Sequence, residues 1–206
     1  MIPFNPLDTK IIGASVADAL LVRDATPLAK LTSFRGAGIY AIYYSGPFLG
    51  YAALAALNRE VPERPRAPIY VGKAVPAGTR KGTFNDDAAQ SKVLYSRLTE
   101  HAESIKATQL DIGDFRCRYL VVEDIWIPLA ESLLIAKFSP LWNSLIDGFG
   151  NHDPGKGRYG GMMPRWDVLH PGRSWAAKCQ LRPETQIAIE RDVKTFLRNY
   201  LPPLST

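Results

Sequence analysis

The stretch GIYAIYYS, residues 38 to 45, lies between Gly38 and Gly46 and consists almost wholly of β-branched, aromatic and small residues. Such a run reads as a β-strand, and it sets the frame into which the rest of the chain must fit. With a side-chain period of two, Tyr40 and Tyr44 project to one side and Tyr43 to the other. GYAALAALNRE then reads as a helix, ended by the proline-rich connector VPERPRAP. IYVGKA is a second short strand, with Tyr70 and Lys73 on opposite sides. A loop, VPAGTRKGTFN, leads into the longest helical pattern, DDAAQSKVLYSRLTEHAESIKA, which has acidic residues at its start and Lys106 at its end. FRCRYLVVE, 115 to 123, is a third strand. PLAESLLIAKF is a helix opened by Pro128 and closed before Pro140, and PETQIAIERDVKTFLRNYL is a last amphipathic helix. This order predicts an α/β (α+β) fold: a small, mainly antiparallel three-stranded central sheet flanked by helices.

At 206 residues the chain is long enough for one substantial core, and a single domain over 1–206 is expected. No apolar run approaches the eighteen or so residues of a membrane span. The first residues, MIPFNPLDTK, lack the basic-then-apolar organisation of a secretory signal, so a cytoplasmic location is expected. Cys117 and Cys179 are too few for a disulfide scaffold and read as reduced thiols. Combined with His152 and His170 they have no regular zinc-ligand spacing, and a zinc site is not expected. The formal net charge of +5 and a pI of about 9.2 suit an anionic partner without specifying one.

Several residues do not fit a bland core. Glu131 shares a helical stripe with Leu134, Ile135 and Phe138. A carboxylate there needs a cation, a donor or a metal, because burying it unpaired costs several kcal/mol. The simpler alternative is that it favours the positive end of the helix dipole. Arg97 and His101 stand four apart on one helix face, where a solvated face or an ion pair with Glu100 or Glu103 is the simpler account. Tyrosines in strands usually just pack. Together the set suits phosphodiester chemistry. Arg97 can neutralise phosphate oxygens, Glu131 can hold a divalent cation, and Tyr40, Tyr70, His101 or Lys73 can manage protons on an attacking water.

GIY at 38–40 and YVG at 70–72, followed in order by Arg97, His101, Glu131 and Asn143 in FSPLWN, resemble the GIY-YIG nucleases over residues 34–146. Tyr40 and Tyr70 stand thirty residues apart, more than is common in that family, and an insertion at about 47–66 accounts for the difference. The resemblance is greatest to its type II restriction endonucleases, including those that cut GC-rich palindromes. It implies a site-specific deoxyribonuclease that hydrolyses phosphodiester bonds in double-stranded DNA with water as nucleophile. It also implies roles for the matching positions. Tyr40 would be the general base or the group that positions the water, with Tyr70 beside it. Glu131 would be the protein ligand of Mg²⁺, for which Mn²⁺ could substitute. Arg97 would stabilise non-bridging oxygens, Asn143 would bond near the phosphate or fix its neighbours, and Lys73 would lower a phenol or water pKa.

A free phenol has a pKa of about 10, and bringing it to 7 would take about 4 kcal/mol from nearby positive charge. A neutral His101 could instead relay the proton from the phenol, which predicts a Tyr40–His101 pair. The resemblance further implies a homodimer on a palindromic site, a prokaryotic host and a cognate DNA methyltransferase.

Beyond the core, 147–206 reads as a C-terminal extension for DNA recognition or structure. Its Gly- and Arg-rich part nominates Arg158, Arg165 and Arg173 for guanine edges, followed by Lys156, His152 and His170. Alternatively, Trp166 and Trp175 fill a secondary core there. The rival functions are a repair or mobile-element nuclease on the same core, and a catalytically inactive DNA-binding protein.

Overall fold

The computed structural model describes residues 9–76, 90–155 and 159–200, with side chains from Ala14 onward. In chain order the elements are α1 (Thr9–Leu21), β1 (Thr26–Pro27), β2 (Gly38–Tyr44), α2 (Ala52–Arg59), β3 (Tyr70–Ala74), α3 (Val93–Lys106), β4 (Phe115–Val121), α4 (Ile127–Phe138), α5 (Leu141–Ser144), α6 (Arg165–Leu169) and α7 (Gln186–Tyr200). The sheet is antiparallel, in the order β1-β4-β2-β3. The three expected strands are joined by a fourth, β1, whose two residues offer no periodicity to read. Its Pro27 is tolerated because β1 lies at an edge.

β2 is interior, and all seven of its residues are buried. Tyr40, Ile42 and Tyr44 enter the larger core with Leu94, Leu98, Trp142 and Trp166, and Ile189, Val193 and Leu197 of α7 close the same core. Ile39, Ala41 and Tyr43 enter a second core with Leu20, Ile127, Ala130 and Leu134. Each fully buried Leu or Ile contributes about 1.5–3 kcal/mol, which fixes the strand's register against a one-residue slip. Burial of three phenols requires three partners. Tyr44 Oη accepts from the Phe48 amide at 2.9 Å, Tyr43 Oη accepts from Arg118 at 2.8 Å, and Tyr40 Oη lies 2.6 Å from His101 Nε2.

The insertion between the half-motifs forms α2 and a connector fastened by buried Asn58. Its amide nitrogen donates to the carbonyls of Tyr44 and Ala67, and its oxygen accepts from the amides of Arg66 and Ala67. α3 starts at Val93, later than the acidic start of its sequence pattern predicts, and residues 77–89 lie outside the described region. α4 has Pro128 in its first turn and ends at Ser139, which adopts the left-handed conformation (φ 42°) just before Pro140. Helix α1, which no sequence pattern announced, packs on α4. Among the described residues no helix is long and apolar enough to cross a membrane.

Candidate active site

The site is built where β3, α3 and α4 meet. β2 and β3 pair with Tyr40 opposite Gly72 and Ile42 opposite Tyr70, so the long separation in sequence leaves the pairing intact. A side chain on Gly72 would fall on the Tyr40 oxygen, with its Cβ 2.6 Å from ring carbon Cζ. The glycine of YVG is therefore a space requirement of the tyrosine of GIY. The Tyr40 and Tyr70 ring centroids are 6.2 Å apart.

α3 presents Arg97 and His101 to the same place. Burial, reinforced by the positive field of Arg97, His152 and Arg173, holds His101 well below the usual histidine range, so the imidazole is neutral near pH 7. The Tyr40 hydroxyl then donates to Nε2. Burial and the neighbouring Tyr70 push the Tyr40 phenol well above 10, and Arg97 offsets only part of that. Ionising this phenol by positive charge alone is not what the surroundings provide. The Tyr70 phenol is also raised, again chiefly by burial.

Arg97 donates to Glu100 at 3.0 Å and to the Gly150 carbonyl at 2.6 Å, and it touches the His152 imidazole. The expected ion pair with Glu100 is present, and the guanidinium also faces the two phenols. Glu131 lies across the edge of β3, its side chain 18% exposed, with Oε2 2.6 Å from Lys73 Nζ. Its negative charge reaches both Tyr40 and Tyr70. Among the described residues no group of three His, Cys, Asp or Glu side chains could hold a metal ion, so Glu131 offers a lone carboxylate. Asn143 bonds both backbone groups of Val71, accepting from its amide and donating to its carbonyl at 2.8 Å each, and so clamps the edge strand next to Tyr70. Of the two roles open to it, fixing its neighbours is the one this geometry supplies.

The C-terminal candidates are placed unevenly. Arg173 is 6% exposed and His170 is fully buried. Arg173 forks onto Asp167 at 2.7 and 2.5 Å. His170 bonds Tyr51 at 2.7 Å and lies 3.3 Å from Gln109. Neither reaches a base edge from these positions, which corrects the expectation. Burial and partners on the same chain, both invisible to composition, decide it. Arg165 is held by Glu184 and Asp192, each at 2.6 Å, and its guanidinium is largely enclosed. Trp166 is fully buried, but in the larger core and not in a secondary one, and Trp175 is only partly buried, so the expected secondary core of the two tryptophans is not what forms. Lys156 and Arg158 lie outside the described residues. His152 remains exposed at the mouth of the site, 3.8 Å from Glu100. A cavity of about 490 Å³ opens beside it, walled by Gly150, Pro154, Met162, Trp175 and Cys179.

Phe149 was not singled out in the sequence. Its ring lies flat on His101, with centroids 4.5 Å apart and planes 17° from parallel. Only its place six residues after Asn143 hinted at proximity.

Paired strands carrying GIY and YVG, with Arg97, His101 and Glu131 gathered at their end, define a GIY-YIG nuclease domain. A family model described as the Eco29kI GIY-YIG domain matches residues 32–197, and the chain belongs to that family, whose members are nucleases of restriction-endonuclease type. No curated protein matches the chain. The matched span includes the Gly148–Arg173 segment and most of α7.

Proposed function

We propose that the protein is a type II restriction endonuclease that hydrolyses both strands of double-stranded DNA at a palindromic, GC-rich site, acting as a homodimer in a host that carries the cognate methyltransferase. The observation that carries the catalytic part is the 2.6 Å contact between Tyr40 Oη and His101 Nε2 beneath Arg97. Water attacks the phosphorus, and the P–O bond to the leaving oxygen breaks. The proton of the water passes to the Tyr40 oxygen while the Tyr40 proton passes to His101 Nε2, and solvent protonates the leaving oxygen. An imidazolium beside Arg97 is costly in the free protein. The anionic phosphate, paired with Arg97, removes that penalty when DNA is bound.

Glu131 is a partly exposed, hard oxygen donor within reach of both phenols, which fits Mg²⁺ bound through one carboxylate with water and phosphate oxygens completing its shell. Mn²⁺ is expected to substitute. When bound there, the ion would stabilise charge developing at the phosphate. Lys73 balances the carboxylate. Palindrome, GC content and dimer rest on the resemblance to type II enzymes of this family.

The test is digestion of a large unmethylated DNA by purified protein, with and without Mg²⁺, beside Glu131→Ala. Discrete fragments that require the metal and vanish in the variant support the reading. Nicking of branched DNA alone, or tight binding without cleavage, overturns it in favour of a repair-type nuclease or an inactive binder.

A further inference from the structure

Arg173 spends every N–H of its guanidinium inside the protein. Nε and Nη2 grip Asp167, Nη2 also donates to the Gly148 carbonyl at 2.9 Å, and Nη1 donates to the carbonyls of Phe149 and Asn151 at 3.2 Å each. Its plane lies against Trp166 and Trp175, 4.5 and 4.6 Å from the ring centroids. The segment it shapes is the one that touches the catalytic side chains. Phe149 stacks on His101 and meets Tyr70 edge-on at 5.0 Å. Gly150 supplies the carbonyl for Arg97, and His152 covers the same guanidinium. A Cβ on Gly150 would sit 2.5 Å from the Tyr70 oxygen and 3.5 Å from Arg97 Nη2. Gly148 turns there with φ 99°.

Resting on the nuclease reading above, we propose that residues 148–152, templated by Arg173, are a positioning device for the reaction: Phe149 fixes the plane of His101, and the Gly150 carbonyl aims Arg97. Phe149, Gly150 and His152 between them contact His101, Tyr70 and Arg97, while the arginine that shapes their turn makes its own bonds to Asp167 and to the carbonyls of Gly148, Phe149 and Asn151. Packing alone explains the burial of Phe149. It does not explain why a buried cation uses three donors to set the carbonyl directions of this one turn. A flat aromatic face also excludes water from the imidazole and restricts its rotation.

Three variants test this in the full chain: Gly150→Ala, Phe149→Leu and Arg173→Lys. Each is measured for melting temperature, DNA affinity without added metal, kcat and KM, and the pH titration of the three histidines by imidazole ¹H–¹⁵N spectra. Gly150 has no left-handed backbone requirement, so its alanine variant is expected to fold and bind DNA as the parent does while kcat falls at least tenfold. In Phe149→Leu the His101 titration is expected to move up toward the ordinary histidine value, since Arg97, His152 and Arg173 are retained and only the covering ring is lost. Arg173→Lys keeps the charge facing Asp167 but loses the fork, and is expected to show both effects in milder form. Folded Gly150→Ala with unchanged kcat, or an unmoved His101 titration in Phe149→Leu, overturns the proposal, as does a loss confined to DNA affinity. The titration needs no cleavage, so a parent protein that cuts nothing would overturn the proposed function while the spectra still decide the positioning role.

Discussion

The Tyr40 hydroxyl and His101 Nε2 are 2.6 Å apart inside a site where burial disfavours charge on either group. The pair is thus held neutral, with its proton on the phenol. Tyr40→Phe keeps the ring over Gly72 and removes only the hydroxyl. Its cleavage rate is expected to fall roughly 100-fold or more, with a stability change of about 1–3 kcal/mol from the unpaired imidazole nitrogen. Single-turnover cleavage and urea denaturation separate the two.

Acid should destabilise the fold earlier than carboxylate titration alone would. His101 is held well below the usual histidine value by burial and by Arg97, and burial holds His170 down to about 3. Below about 6.5 the unfolded chain binds protons at these positions that the native state refuses. The stability they confer is complete above that value and declines as pH falls toward the folded pKa of each, by about 1.4 kcal/mol per pH unit per histidine. Urea midpoints at descending pH read this slope, and His170→Gln should reduce it. A flat profile between pH 7 and 5 would count against both burials.

Gly72→Ala places a methyl group on the Tyr40 phenol. An expected destabilisation of about 1–3 kcal/mol from overpacking should accompany loss of cleavage, because the displaced oxygen leaves His101. Thermal melts and a plasmid-cutting assay on the same preparation check both.

Asn143→Leu removes two hydrogen bonds to Val71 and leaves α5 less firmly tied to β3. About 1–3 kcal/mol of stability should be lost, and activity should fall through Tyr70 rather than through DNA affinity. Measuring KM and kcat apart distinguishes the two routes.

Arg165→Gln breaks the contacts to Glu184 and Asp192. A loss of about 1–3 kcal/mol is expected, with the set of DNA fragments unchanged. A changed cleavage site would return Arg165 to the reading surface.

The strands of the half-motifs, β4 and the two long helices were legible in the sequence because each is written in a local period, whereas the order of the six site residues was legible only through the resemblance to a known family. Tyr40 and Tyr43 fall on opposite faces as the alternation requires. Helix α1 was not legible: TKIIGASVADALL has a glycine near its middle and neither an acidic first turn nor a basic last turn, and it gains its place by docking on α4. Arg165, Arg173 and His170 looked like DNA readers because residue type records charge and not burial. Their partners Asp167, Glu184 and Tyr51 come from the short helix α6, a loop and the insertion, and only the folded chain brings them together.

The clamp of Asn143 on Val71 also bears on how two copies could meet. β3 is the outer strand of its side of the sheet, and an uncovered outer strand is a template for joining sheets between molecules. Here the outward amide and carbonyl of Val71 are taken by one side chain, and the Ile69 carbonyl accepts from the Trp142 amide. The opposite margin is the two-residue β1, half of it proline. Joining a second sheet along β3 would therefore first have to break the bonds that α5 makes to this strand. Contacts made through helices or loops would leave these bonds, and with them each catalytic end, undisturbed.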